Sequence, residues 1–280
     1  MMFWLQRGLA EQFPQLARFD DVLRADGELF RDLSKRQTLR IEGAGRSLFV
    51  KRHLGVGWPE IFKNYLQLRQ PVISAENEFQ AIKRLETLGV ETMCCVGFGK
   101  RGSNPARQES FIITDDLVGS ISLEEYCAEW GSEFFDTPRL HKKRLLIGRL
   151  ASIARQLHDH GVNHRDFYLC HFHIWPEQMD IPNPVDPKIV LIDLHRVQIR
   201  RKLPRRWRLK DIAGLYFSAM DAGLTRRDCL RFIRCYRSGS LRVVLTEEKR
   251  FWRQIEQEAR RLYYKAHRRY PPVGWPSLSQ

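Results

Sequence analysis

The segment "SAENEFQAIKRLETLGV", residues 74–90, constrains the fold of this chain more than any other stretch. Glu78, Ile82 and Leu85 recur at i, i+4 and i+7 and so share one helical face, Ser74 suits the start and Gly89 the stop. Strand-like runs bracket it. "TLRIE" and "SLFVKRH" flank the turn "GAG", where Gly43 and Gly45 suit the positive φ of a tight hairpin, and "MCCVGFG" and "ESFIITDDL" follow the helix. Strand, strand, helix, strand, strand describes a small sheet with one helix packed on it. Before it, the first forty residues read as short helices, from apolar positions Phe13, Leu16, Phe19, Val22, Leu23, Leu29, Phe30 and Leu33. A further helix is expected around residues 59–68, after the Gly/Trp/Pro stretch "LGVGWPE".

From about residue 121 the pattern turns helical. "SLEEYCAEW" is one helix, and "RLHKKRLLIGRLASIARQLHDHG" a long one, with Leu146, Leu150, Ile153 and Leu157 on one face and Gly161 as its stop. "CHFHIW" and "KIVLIDL", joined by the turn-rich "PEQMDIPNPVDP", read as a second hairpin. From "RRWRLKDIAGLYFSAM" onward the chain reads as helix until a Pro-rich end. The fold class is therefore α+β and bilobal: residues 1–116 form an N-terminal region and a small sheet-based lobe, residues 117–280 a larger helical lobe with one hairpin.

At 280 residues with 43% hydrophobic and 11% aromatic content, the chain carries enough apolar surface for real cores. No apolar run reaches the roughly 18 residues that span a bilayer, and the N-terminal apolar run is too short for a signal peptide, so a cytoplasmic protein is expected. The six cysteines include no C-x-x-C pair, which argues against a zinc ribbon or a disulfide framework. The net charge of +14 points to an anionic partner: nucleic acid, an anionic membrane or an acidic substrate or protein.

Chemistry concentrates in "GVNHRDFYLCHFHIW", residues 161–175, which holds three histidines, an Arg-Asp pair and a cysteine. His164, Arg165 and Asp166 fall between the long helix and the second hairpin, and Asp193 ends that hairpin's second strand, so the topology brings residues 166–171 beside residue 193. Two carboxylates and a histidine at one edge suit phosphoryl transfer, in which one carboxylate takes the acceptor's proton and another holds Mg²⁺ against the phosphates. Lys51, in the strand after the Gly turn, is the candidate phosphate clamp. Glu78 is its candidate partner, because a carboxylate on a buried helix face needs a cation.

The order strand-Lys, helix-Glu, H-R-D, strand-Asp resembles the protein-kinase-like fold. More closely, "GVNHRDFYLCHF", "LIDLHR", "RRWRLKDIAGLYFSAMDAGLTRRD", "PVISAENEFQAIKRL" and "FIITDDL" resemble the lipopolysaccharide core heptose I kinases of Gram-negative bacteria, over roughly residues 30–240. The resemblance implies an ATP- and Mg²⁺-dependent sugar kinase acting on heptose I of the lipopolysaccharide inner core. In it Asp166 is the catalytic base, Asp193 the metal-binding acid, Lys51 with Glu78 the phosphate clamp, Asp115, Asp116 and Leu117 the hinge that holds adenine by its backbone, and Asp211 the helix acid that braces the catalytic loop. It further implies association with acyl carrier protein. Two positions depart from ordinary kinases. His171 stands where Asn supplies a metal ligand, so it is a candidate for the metal and nucleotide site, although imidazole suits Mg²⁺ poorly. Asp193 is followed by Leu194 and His195 rather than Phe and Gly.

Competing readings stand beside these. A zinc site in "HDHGVNHRDFYLCHFH" lacks the usual Cys-rich spacing, and His158 and His160 read as cations closing a helix. The basic runs "KRQTLR", "RRKLPRRWRLK" and "ARRLYYKAHRRY" suit an anionic glycolipid at the inner face of the inner membrane, with Trp58, Phe62 and Trp207 as interfacial contacts; no nucleic-acid motif accompanies them, and no nucleic acid is expected. Two alternatives stay open: a kinase for another core sugar such as Kdo, and a kinase-like module that only binds an anionic lipid or an acidic protein.

Overall fold

The computed structural model describes residues 1–32, 35–66, 71–130, 136–181 and 184–271. Leu33 and the end of the helix expected to reach residue 68 lie outside them. The chain divides into two compact units, and the expected α+β class holds, with a sheet in the first and mainly helices in the second.

The first unit comprises Met1–Glu86, Thr92–Val118 and Leu194–Arg196. Its elements are β1 (Met2–Leu5), α1 (Leu9–Gln12), α2 (Phe19–Arg24), β2 (Glu28–Asp32), β3 (Arg36–Gly43), β4 (Arg46–Leu54), α3 (Trp58–Leu66), α4 (Glu76–Leu88), β5 (Cys95–Arg101) and β6 (Glu109–Asp115). Six strands pair antiparallel in the order β1-β5-β6-β4-β3-β2. The expected hairpin closes with Gly43 opposite Arg46, and Ala44 and Gly45 take φ of 50° and 72°. One expectation fails at the N-terminus: α1 and α2 are helical, but Met2–Leu5 and Glu28–Asp32 are the two edge strands. Their apolar residues misled the helical reading because they line the sheet's edges, where Leu29 and Phe30 stay more than half exposed. Phe13, Leu16, Phe19 and Val22 do form a core, with Leu48, Val50 and Phe111 of the sheet.

Helix α4 is built as its residues dictate. Ser74 Oγ accepts from the Glu76 amide at 3.3 Å, Ser110 Oγ accepts from the Ala75 amide at 3.0 Å, and Gly89 leaves with φ of 67°. Its buried face carries Glu78, Ala81, Ile82 and Leu85, and Phe79 stacks on Phe98 of β5 at 4.3 Å.

The second unit comprises Thr87–Glu91, Gly119–Asp193 and Val197–Gln280. It contains β7 (Ile121–Ser122), α5 (Leu123–Tyr126), α6 (Thr137–Asp159), β8 (Val162–Asn163), β9 (Phe172–Ile174), β10 (Val190–Leu191), β11 (Gln198–Ile199), α7 (Arg205–Ser218), α8 (Arg226–Arg237), α9 (Leu241–Glu247) and α10 (Lys249–His267). The second hairpin forms as β9 against β10, and β7 adds to β9. It is shorter than "CHFHIW" suggested, because residues 169–171 make a 3-10 turn before the strand begins at Phe172. A second small pair, β8 with β11, is too short to have left a periodic signal. Helix α6 packs on α8 and α7 on α10, over a core that includes fully buried Trp252, Tyr236 and Tyr263. Lys143 of α6 reaches Asp228 of α8 at 2.9 Å, both almost wholly buried. Among the described residues, no helix is long and apolar enough to cross a membrane.

Candidate active site

In the first unit, β4 delivers Lys51 and α4 delivers Glu78. Lys51 pairs with Thr38 on one side and Ile112 on the other, so its strand is interior and its direction fixed. Its Nζ lies 2.6 Å from Glu78 Oε1, and the carboxylate is 1% exposed. A carboxylate that buried is stable only beside a cation, and Lys51, about a quarter exposed, keeps one side toward solvent.

Asp115, Asp116 and Leu117 follow β6 in the same unit. The Asp115 carboxylate is held by the Arg46 guanidinium at 2.7 Å, and Asp116 Oδ2 accepts from Arg40 Nε and Ser47 Oγ, each at 2.9 Å. The Asp115 amide donates to Cys94 O and the Asp116 amide to Ser47 O. Both side chains and both amides of the acid pair are therefore engaged within the sheet. Arg40, Arg46 and Ser47, which fasten this segment, gave no sequence signal beyond lying in the hairpin.

In the second unit, α6 ends at a turn that only glycine can make. Gly161 has φ of 78°, and a Cβ there would sit 1.8 Å from Arg200 O. The chain then runs through β8 into His164, Arg165 and Asp166. Arg165 takes φ of 75° and Asp193 φ of 60°, left-handed values that a non-glycine residue holds only when its surroundings impose them. The surroundings include Asp211 of α7, 1% exposed. Its Oδ2 accepts from the His164 amide at 2.7 Å and its Oδ1 from the Arg165 amide at 2.9 Å. Gly214, one turn along α7, lets the loop lie close: a Cβ there would meet Phe167 O at 3.2 Å.

A residue outside the expected site completes this brace. His158, read from the sequence as a cation closing the helix, is 1% exposed. Its Nε2 lies 3.3 Å from Asp211 Oδ2 and its Nδ1 2.8 Å from the Tyr236 hydroxyl, which also accepts from Arg208 at 3.3 Å. With Nε2–H donating to the carboxylate and Nδ1 accepting from the phenol, a neutral imidazole satisfies every partner. A signal existed in the sequence: Ile147, Ala151, Ala154 and His158 form a second buried row on α6 at helical spacing.

His171 and Asp193 meet as their placement in the second hairpin implied. His171 Nδ1 lies 2.6 Å from Asp166 O. A carbonyl oxygen only accepts, so Nδ1 carries the proton. Nε2 then faces Asp193 Oδ2 at 3.5 Å. That turns the Nε2 lone pair toward a carboxylate, an arrangement that a cation beside the two would relieve. The site thus fits a cation held by one carboxylate and completed by water and phosphate oxygens, the habit of Mg²⁺. Zinc does not fit: among the described residues, no group of three His, Cys, Asp or Glu side chains could hold a metal. His164, fully buried, donates from Nε2 to Ile192 O at 3.0 Å, and burial holds its imidazole well below the usual histidine range.

Comparisons with known proteins point to one family. The sequence model of the "Lipopolysaccharide kinase (Kdo/WaaP) family" matches residues 20–236. Lipopolysaccharide core heptose(I) kinase WaaP of Escherichia coli (strain K12) is 45% identical over 269 residues, 96% of this chain and 99% of the relative. The protein of the same name from Pseudomonas aeruginosa PAO1 is 46% identical over 251 residues, 89% and 91% of the two chains. A solved structure described as WaaP in complex with acyl carrier protein superposes with a TM-score of 0.76 at 39% identity, covering 94% of this chain and 100% of that one.

Proposed function

The chain belongs to the lipopolysaccharide kinase (Kdo/WaaP) family, and from that premise we propose that it transfers the γ-phosphate of ATP to a hydroxyl of heptose I in the lipopolysaccharide inner core. The observation that carries the reading is the grip of Asp211 on the His164 and Arg165 amides, which sets Asp166 on a fixed loop. A base so held is oriented before the acceptor arrives, and positioning is most of what phosphoryl transfer asks of a protein.

Asp166 orients the acceptor hydroxyl and takes its proton. Lys51, aligned by Glu78, neutralises the nucleotide's phosphates. Asp193 is the carboxylate for Mg²⁺, which when bound balances charge on the phosphate oxygens. His171 keeps Nδ1–H on Asp166 O, and so turns Nε2 toward the Asp193 carboxylate. Asp115, Asp116 and Leu117 receive the adenine through their backbone. Because the Asp115 and Asp116 amides are already bonded within the sheet, the donor left for the base is the Leu117 amide.

The acceptor is an anionic glycolipid, and the protein works peripherally at the inner face of the inner membrane. Two features support this: the net charge of +14, and α3, which leaves Trp58, Phe62, Tyr65 and Leu66 about half exposed or more. The relative solved with acyl carrier protein supports the same partner for this chain, an acidic protein meeting a basic one.

The test is incubation with ATP, Mg²⁺ and dephosphorylated heptose-containing core lipopolysaccharide, with transfer followed by mass spectrometry. Phosphate is expected on heptose I with the wild type and not with Asp166→Ala, which should keep its fold and ATP binding. Transfer to a different core sugar, or near wild-type transfer by the variant, would overturn the acceptor or the base respectively. ATP binding without any turnover would make the chain a binding module.

A further inference from the structure

Asp193 sits on a stretch of backbone that is held from both sides. Its φ of 60° is a left-handed value that an aspartate keeps only under constraint. On the N-terminal side the constraint lies in the second unit: the Ile192 amide donates to His171 O at 2.9 Å, and Ile192 O accepts from His164 Nε2 at 3.0 Å. On the C-terminal side the chain enters the first unit at once. Leu194–Arg196 make one 3-10 turn, and Leu194 is fully buried. His195 O accepts from Asn77 Nδ2 at 2.8 Å. The His195 side chain also lies close enough to β4 to help depress the His53 imidazole.

The turn of α4 that carries Asn77 is itself firmly fastened. Ser110 Oγ of β6 accepts from the Ala75 amide at 3.0 Å, Lys100 of β5 pairs with Glu76 at 2.5 Å, and Phe79 stacks on Phe98 of β5. The next residue along from Asn77, Glu78, holds Lys51 at 2.6 Å. A side chain mounted on so rigid an element fixes what it grips better than one on a loop. Asn77 is exposed, so its bond to His195 adds little to the stability of the fold. Its effect falls on the backbone it holds.

We infer that Asn77 is a positioning residue for the reaction: by gripping His195 O it fixes the backbone that leaves Asp193, and with it the aim of the Asp193 carboxylate at the divalent cation. It acts through Asp193 and needs no contact with cation or substrates. Mg²⁺ tolerates little departure from octahedral geometry, so a carboxylate that wanders with its backbone is a poor ligand for it. The inference deepens the kinase reading and rests on it for the cation, and the experiment tells the two apart.

Asn77→Leu keeps the volume and removes the donor. Gln80→Met, the same exchange of an amide for an apolar chain at an exposed position of α4, is the control. Both are compared with wild type by calorimetric ATP binding in Mg²⁺ and in EDTA, by the Mg²⁺ concentration for half-maximal kcat, by hydrogen exchange read by mass spectrometry, and by urea titration. In Asn77→Leu the gain in ATP affinity that Mg²⁺ brings should shrink roughly three- to tenfold, the range that one net hydrogen bond spans, and half-maximal kcat should need as much more Mg²⁺. ATP affinity in EDTA, the acceptor KM and the urea midpoint should stay put. The Leu194, His195 and Arg196 amides should exchange faster, and those of α4 should not. Gln80→Met should match wild type throughout. An unchanged Mg²⁺ response in Asn77→Leu would overturn the inference, as would the same shift in Gln80→Met. So would an equal loss of ATP affinity in EDTA, which would place the effect on the Lys51–Glu78 clamp rather than on Asp193. Wild type whose ATP affinity ignores Mg²⁺ would overturn both the inference and the metal role of Asp193. Wild type with the predicted Mg²⁺ response, lost as expected in Asn77→Leu, that phosphorylates no heptose would keep Asn77 in its role and overturn the heptose-kinase reading.

Discussion

Replacing Asp211 by Asn removes one charge and changes almost no volume, so it isolates what the carboxylate does. The two oxygens of Asp211 accept from the His164 amide, the Arg165 amide and His158 Nε2. An asparagine offers one oxygen and an NH₂ group. With the oxygen turned to His164 and His158, the NH₂ faces the Arg165 N–H, donor against donor. A buried amide without a partner costs roughly 1–3 kcal/mol, and the two surviving bonds lose the charge that made them strong, about 1 kcal/mol each. The sum, about 3–5 kcal/mol, is a large share of the 5–15 kcal/mol that holds a typical domain. With a urea slope of about 2–3 kcal/mol per molar, the unfolding midpoint should fall by about 1–2.5 M. Arg165 should then leave its left-handed backbone, and kcat should fall on the order of a hundredfold with ATP affinity nearly unchanged, because Asp166 loses its aim while Lys51 and Glu78 belong to the other unit. Urea titration with steady-state kinetics tests both halves. A variant as stable as wild type would refute the hydrogen-bond arithmetic, and a destabilised one with normal kcat would refute the role of the brace in catalysis.

Other perturbations probe other links. Burial, reinforced by Arg36, Lys51 and His195, pushes the His53 imidazole down to about 3. Between its unfolded value near 6.5 and that value, the unfolded chain binds the extra proton, so stability falls as pH drops through this window, by up to about 1.4 kcal/mol per pH unit. His53→Phe should flatten the slope of stability against pH between 6 and 4, and an unchanged slope would show that His53 is not the group responsible. Gly161→Ala combines a left-handed φ with a Cβ 1.8 Å from Arg200 O, a backbone atom that cannot step aside. It should cost at least about 3 kcal/mol by urea titration, and a loss below about 0.5 kcal/mol would mean the turn can be remade another way.

The sequence was legible where one physical demand acted alone. α4 has a clean apolar stripe, a capping serine and a terminal glycine, and the β3–β4 hairpin has its glycines. Lys51 and Glu78 were found because a carboxylate on an apolar stripe implies a cation. β1 and β2 were missed because an edge strand is half solvated, so its apolar residues carry no period. β8 and β11 are two residues each, shorter than any period. His158 was missed for a different reason. A histidine in a last helical turn has a sufficient explanation in the helix dipole, and the partners that overrule it, Asp211 and Tyr236, lie 53 and 78 residues away.

That last separation has a consequence in time. Asp166 leaves the ribosome early, but the brace that aims it is finished only when Tyr236 emerges, 78 residues after His158. From Asp166 to Tyr236 is 70 residues, at 5–20 residues per second a wait of roughly 3.5–14 s. Through it Asp211 grips the loop without the His158–Tyr236 support behind it, so a ribosome that stops short of α8 releases a protein with Lys51, Asp166 and Asp193 all present and the brace of Asp166 unfinished.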